Sequence, residues 1–267
     1  MKKTIMITGA TDGIGYVTAK NLVQIGHKVL IHGRNPEKVK RVATELNDLG
    51  QEKVLSFVAD LSDLKLVQKL ADEVKERDIR LDVLTNNAGV FKTRNPITPD
   101  NLDVRFVVNT IAPYLLTKLL FPFFAEKSRV INLSSAAQAP INIEALKGNV
   151  RLGDMEAYAQ SKLAITSWTS FLAKKLANKK NAIFIAVNPG SLLASKMVKE
   201  GFGVSGKDIN IGARILEKLA TSAEFEDANG KYFDNDIGRL TSLHPDVLNK
   251  QKSEALITTL ETLTKLD

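Results

Sequence analysis

The sequence contains no cysteine. A disulfide framework, a thiolate metal site and a cysteine nucleophile are therefore all excluded. Histidine is scarce as well: His27, His32 and His244 are the only three, too widely spaced to suggest a histidine metal site. No apolar run approaches the ~20 uninterrupted residues that span a bilayer, so no membrane span is expected. The longest, Ile111 to Ala125, is broken by Pro113, Thr117, Lys118 and Pro122. The N-terminal Met-Lys-Lys-Thr-Ile-Met-Ile-Thr-Gly is too short in apolar residues for a signal peptide, and a glycine loop follows at once. The expected location is the cytoplasm. No linker, repeat or low-complexity segment divides the chain.

The 267 residues are 44% hydrophobic and 25% charged, the mix of a soluble globular protein. That excludes a disordered tail, a collagen-like fibre and a coiled coil. At about 150 residues per domain the length allows one or two, but α/β folds of about 250 residues are often single, and one domain is the economical reading. Thirty-seven basic against 30 acidic residues leave a net charge of +7. The densest cluster, Lys174, Lys175, Lys179 and Lys180, falls where a helix should end, and cations there complement the helix dipole. No aromatics interleave with it, so no nucleic-acid partner is expected.

Short β-branched runs alternate with amphipathic stretches. Strands are expected at Thr4–Thr8, Lys28–His32, Val54–Val58, Val83–Asn86, Arg129–Leu133 and Ile183–Asn188. Helices are expected at Gly15–Ile25, Pro36–Leu49, Leu64–Arg77, Asn101–Phe124, Glu156–Asn178, Asp208–Thr221 and Asp246–Lys265. The strands are near-continuous apolar runs, as a parallel sheet covered on both faces requires. Strict alternation predicts right-handed crossovers and an α/β, Rossmann-like doubly wound parallel sheet. After about residue 190 the pattern loosens: 191–211 is the candidate substrate lid, and Lys231–Phe233 the candidate edge strand. Met197, Val198, Phe202 and Val204 in the lid favour an apolar substrate.

Thr8-Gly9-Ala10-Thr11-Asp12-Gly13-Ile14-Gly15 follows the first strand and opens the first helix. Glycines there permit a tight turn, let backbone amides approach a pyrophosphate and place it at a helix N-terminus. A literal G-x-G-x-x-G also occurs at Gly201, Gly203 and Gly206, but no strand precedes it and it is expected to be a flexible loop. The second strand ends in His32-Gly33-Arg34-Asn35. Gly33 stands where an acid would bind the NAD ribose, and the Arg34 fork suits a 2′-phosphate, so NADP(H) is favoured over NAD(H).

Tyr158-Ala-Gln-Ser-Lys162 sets a phenol and an ammonium on one helix face. A lysine cation beside a tyrosine is expected to lower its pKa, fitting it to protonate a carbonyl oxygen or deprotonate an alcohol. The pairs Tyr16/Lys20 and Tyr114/Lys118 have the same spacing, but only Tyr158/Lys162 follows a strand ending in serines, Ser134 and Ser135.

Together these motifs resemble the short-chain dehydrogenase/reductase family over about residues 1–240. The resemblance rests on the T-G-x-x-x-G-x-G loop, Asp60-Leu61, Asn86-Asn87-Ala88-Gly89, Asn109, Ser135, Tyr158-x-x-x-Lys162 and Asn188-Pro189-Gly190. It implies that Asp60 holds the adenine and that Asn87, Ala88 and Gly89 shape the cofactor floor. Asn109 then anchors a proton relay, Ser135 rather than Ser134 orients the substrate, and Lys162 binds ribose and tunes Tyr158. Pro189 and Gly190 cover the nicotinamide. Two features depart from the family's simplest pattern. The extra segment Ala136–Glu156 resembles the retinol-dehydrogenase-like branch and is expected to wall the substrate pocket. Ala194 replaces the usual threonine, with Ser191 and Ser195 as substitutes. The implied activity is hydride transfer between nicotinamide and a small-molecule carbonyl or alcohol, in a homodimer or homotetramer. The alternative is a redox-silent NADP-binding regulator on the same scaffold.

Overall fold

A computed structural model gives the structure of residues 1–176 and 179–266. The chain runs β1 (Thr4–Ile7), α1 (Gly13–Gln24), β2 (Lys28–Gly33), α2 (Pro36–Asn47), β3 (Leu55–Val58), α3 (Leu64–Glu76) and β4 (Leu81–Asn86). Next come α4 (Val104–Phe106), a π-helical turn (Val107–Ile111), α5 (Ala112–Leu120), β5 (Phe124–Leu133), α6 (Ile143–Leu146), α7 (Asp154–Lys175) and β6 (Ile183–Asn188). The last part holds α8 (Lys196–Phe202), α9 (Asn210–Thr221), β7 (Tyr232–Asp234), β8 (Arg239–Thr241), α10 (Pro245–Leu248) and α11 (Lys250–Thr264).

One eight-stranded sheet results, in the order β3-β2-β1-β4-β5-β6-β7-β8. Every neighbouring pair is parallel except β7–β8. The apolar strand runs are explained by burial on two sides. Met6, Leu30, Leu84, Val130 and Phe184 face the layer of α3, α5 and α7. Ile5, Ile7, Val29, Ile31, Val83, Ile131 and Ile185 face that of α1 and α9. Strand order reverses between β1 and β4, and a crevice opens beyond their carboxyl ends. Helix starts follow local chemistry: Asp12, Asn35 and Asp63 accept hydrogen bonds from the first-turn amides of α1, α2 and α3.

Four local expectations are corrected. The 231–233 strand is internal, because β8 pairs outside it and forms the edge. The loose segment after β6 holds a helix, α8, capped by Ser195 and closed by Gly203 in the left-handed region. The long helix expected from Asn101 starts at Val104 and passes through the π turn. The C-terminal helix is two, separated at Asn249, whose side chain caps α11. The helix expected over 156–178 is described as far as Lys175, and positions 177 and 178 lie outside the described residues.

The stretch Val104–Phe123 is long and apolar enough by composition to cross a membrane, with mean hydropathy 1.4. Its most apolar window is 72% buried in the fold, in the helix layer that α5 shares with α3 and α7, which is the setting of a core helix.

Candidate active site

The glycine loop is shaped by contacts that leave no space for side chains. Gly9 has φ +65°, and a Cβ there would stand 2.8 Å from the Ala88 Cα. Asn87 locks the loop from the end of β4, its Nδ2 donating to the carbonyls of Thr8 (2.8 Å) and Gly9 (3.0 Å). The Thr8 hydroxyl accepts in return from the amides of Asn87 and Ala88. A Cβ on Gly15 would stand 2.3 Å from Asn87 Nδ2, so Gly15 serves packing behind the loop. Gly33 makes room for the Thr11 methyl, which a Cβ would meet at 2.6 Å. His32, missed by the sequence reading, ties three strands together. Its Nδ1 accepts from the Gly9 amide (3.3 Å) and its Nε2 faces the Ala59 carbonyl (3.0 Å), which assigns the proton to Nε2. Burial pushes its pKa down to about 4, so the ring is neutral.

A cleft of about 460 Å³ lies over the carboxyl ends of the strands. Gly9, Thr11, Asp12, Gly13 and Ile14 line it from the loop, Arg34 and Asn35 from beyond β2, and Asp60 and Leu61 from beyond β3. Asn87, Ala88 and Gly89 line it from beyond β4, Pro189 from beyond β6, and Tyr158 and Lys162 from α7. Gly15, Gly190, Asn109 and Ser135 do not line it, whereas Ser134, the serine set aside in the sequence, does. Met197 of the expected lid does, and so do Lys38 and Lys196, which no motif marked. The signal for Lys38 was its place in the first turn of the helix that follows Arg34. Asp12 and Asn35 also spend their side chains as helix caps, and Asp60 accepts from Ser62 in a tight turn.

At the catalytic end, Lys162 is buried and its Nζ donates to the Leu133 carbonyl (2.8 Å), 5.6 Å from the centre of the Tyr158 ring. Burial pushes the amine down to about 8. The Tyr158 phenol is raised above its ordinary value by desolvation, opposed by a hydrogen bond from Ser135. This corrects the expected lowering by Lys162: the ammonium sits over the ring and is bonded to a backbone carbonyl, so removal from water dominates. The two serines separate cleanly. Ser134 is buried and its hydroxyl contacts the Lys162 carbonyl (2.9 Å) and Thr166 (2.7 Å), whereas Ser135 meets Tyr158.

Asn109 lies in the π turn, where a widened helix turn re-aims its side chain. Its Oδ1 accepts from the Val90 amide (2.8 Å), and its Nδ2 donates to the Val90 carbonyl (3.0 Å) and to Ser161 Oγ (2.9 Å). Ser161 in turn donates to the Tyr158 carbonyl (2.7 Å). The amide thus braces the Gly89–Val90 backbone against α7.

Phe91 meets the Tyr158 ring edge-on, centroids 5.1 Å apart. α8 closes over this pair. A Cβ on Gly201 would stand 2.6 Å from Phe91 Cδ1, and one on Gly89 3.7 Å from the Met197 methyl. The side chain of Phe202 lies outside what is described. Ser191 donates to Asp236 from both amide and hydroxyl, Ser195 caps α8, and the Ala194 amide bonds to the Lys207 carbonyl (2.7 Å). The extra segment expected to wall the pocket holds α6 and returns to Ser135 through Gln138, whose Nε2 donates to the Ser135 carbonyl (2.9 Å).

The short chain dehydrogenase family profile matches residues 3–202, and the chain belongs to that family. Its curated relatives place it in the retinol-dehydrogenase-like branch. It is 31% identical to polyprenol dehydrogenase of Homo sapiens over 254 residues, 88% of this chain and 77% of that one. It is 34% identical to retinol dehydrogenase 12 of Mus musculus over 245 residues, covering 86% and 77%. A solved protein from Mycobacterium paratuberculosis matches with TM-score 0.81 at 28% identity, over 98% of this chain and 93% of that one. A short chain dehydrogenase of Shigella flexneri, complexed with NADP, matches with TM-score 0.70 at 25% identity, over 88% and 97%.

The residues fit a nicotinamide dinucleotide. The cradle at Gly9 is one that a Cβ would fill, and Arg34 and Lys38 stand at one end of the cleft. From β2 to β5 is three strand spacings, roughly 14 Å, which a dinucleotide spans. The family makes the chain an oxidoreductase.

Proposed function

We propose that the protein is an NADP(H)-dependent oxidoreductase acting on an apolar carbonyl or alcohol. The observation that carries the chemistry is that Tyr158 and Lys162 line one cleft together, with the Tyr158 phenol hydrogen-bonded by Ser135. NADP preference is supported by Gly33 in place of an acid, by Arg34 and Lys38 beside it, and by the NADP found in the Shigella flexneri relative. An apolar substrate is supported by Phe91 and Met197 at the site and by relatives named for polyprenol and retinol.

When bound, the nicotinamide supplies or accepts the hydride at the substrate carbon. Tyr158 Oη gives a proton to the carbonyl oxygen in reduction and takes it from the alcohol in oxidation. Ser135 holds that oxygen beside the phenol. Lys162, charged below pH of about 8, lines the cleft beside Tyr158 and is placed to hold the ribose of the nicotinamide. Segment 191–211 serves as the lid and excludes water. A binding-only regulator would leave the assembled trio without a use. A cytoplasmic homodimer or homotetramer completes the reading, checked by sedimentation and cell fractionation.

The test is oxidation of NADPH, and of NADH in parallel, by a panel of apolar aldehydes and ketones. Turnover with NADPH well above NADH is expected. A preference for NADH would overturn the cofactor assignment, and no turnover with either cofactor despite tight NADPH binding would favour the regulator.

A further inference from the structure

Ser135 stands at an awkward place in the chain. The last ladder contact of β5 is the Ser134 amide donating to the Val187 carbonyl (2.8 Å), so Ser135 is the first residue beyond the sheet. A serine in such a position swings with its own peptide unit unless that unit is held. Two side chains hold it here. The Tyr232 phenol donates to the Ser135 carbonyl oxygen at 3.0 Å, and Gln138 Nε2 donates to the same oxygen at 2.9 Å. A carbonyl oxygen has two lone pairs, and both are engaged.

We propose that Tyr232 and Gln138 are positioning residues that clamp the Ser135 peptide and so aim its hydroxyl at Tyr158. This rests on the role given to Ser135 above. Tyr232 comes from β7, 97 positions along the chain, in parallel register with Ala186 of β6. It is 6% exposed, and a buried ring in a hydrogen-bonded strand is a fixed anchor. Its phenol is kept protonated, and so a donor, by burial and by the nearby Asp234 and Asp236 carboxylates, which push its pKa up. Gln138 reaches back from three residues downstream, and its amide also contacts Tyr232. The Ser135 hydroxyl is steadied in addition by the Ala137 amide (3.1 Å).

The test is a double-mutant cycle on the full chain. Tyr232→Phe removes one oxygen and keeps the buried ring. It is expected to lower kcat about tenfold, the loss of one hydrogen bond that matters in the transition state. KM for NADPH and the melting temperature should stay close to wild type, a split that a merely structural tyrosine would not produce. Gln138→Leu is expected to act in the same direction and serves as the second probe should Tyr232→Phe fold poorly. In a Ser135→Ala background neither substitution should lower kcat further. Wild-type kcat in both single variants, or losses that multiply in full with that of Ser135→Ala, would overturn the clamp. If Ser135→Ala alone kept wild-type turnover, the role of Ser135 would fail, and the clamp with it.

Discussion

Burial acts on Tyr158 and Lys162 in the same electrical sense, pushing each toward its neutral form: the phenol rises and the amine falls to about 8. The pair is thereby driven apart in proton affinity: free tyrosine and lysine titrate close together, whereas here the amine gives up its proton well before the phenol. Tyr158→Phe is expected to lower kcat at least ~10²-fold, the low end for acid–base catalysis, while NADPH binding by titration persists. Turnover is expected to fall as pH rises through about 8, where Lys162 loses its charge. Lys162→Arg, which keeps the charge, should remove that limb from the kcat–pH profile. At the other end of the cleft, Arg34→Ala should raise KM for NADPH by roughly 10- to 100-fold, the equivalent of a charge-assisted hydrogen bond, and leave KM for NADH nearly unchanged. Arg34 was legible because it directly follows a strand. Lys38 was not, because a lysine in a helix's first turn carries no mark until the helix is docked beside the crevice.

Among the elements, α8 and its neck decide how the site closes. The neck is narrow: Ala194 N bonds to Lys207 O and Lys207 N to Leu192 O, each at 2.7 Å. Gly206 has φ +77°, and a Cβ there would stand 2.7 Å from the Ala194 nitrogen, so only glycine lets the strands of the neck meet. The literal glycine triplet that looked like a loose loop thus has one member against Phe91, one ending α8 and one in the neck. Gly201→Ala is expected to lift α8 off Phe91, raise substrate KM and speed proteolysis within 195–206. Phe91→Leu, by making room, should restore part of both. Should NADPH with a carbonyl ligand leave proteolysis of this segment unchanged in the wild type, it is not a lid. The π turn that carries Asn109 was hidden in the sequence, since one extra residue per turn changes no residue type.

For the whole molecule, α11 is part of the core. Leu256, Ile257 and Leu260 pack with Ile165, Trp168 and Leu172 of α7. At about 1.5–3 kcal/mol for each large apolar side chain buried, those three contribute about 5–9 kcal/mol. That rivals the entire stability of a typical domain, so truncation after Asn249 should abolish the cooperative thermal transition. Acid weakens the fold through His32. Its folded pKa of about 4 lies below the ordinary 6.5, so the unfolded chain takes up the proton first, and stability present above 6.5 is lost as pH falls toward 4. The span is worth about 3 kcal/mol at 1.36 kcal/mol per pH unit. Denaturant unfolding followed over that window should show the loss, and His32→Asn should flatten it.

The sequence by itself determined what is local. The continuous apolar strands, the capped helices between them and the strand–glycine turn–helix unit at Gly9–Gly15 are set by neighbours a few residues apart. So is the one-turn spacing of Tyr158 and Lys162, and from these alone the sheet and its crevice follow. The tertiary structure decided whatever depends on docking across the sheet. Which serine faces Tyr158 turns on Ser134 being buried against α7. Whether Lys162 lowers the phenol turns on desolvation and on a carbonyl at the end of β5. The hold on Ser135 comes from Tyr232, a contact that exists only once β7 has paired with β6. Local preferences act through a few bonds, whereas desolvation and hydrogen-bond partnership depend on distances that only the folded chain makes short.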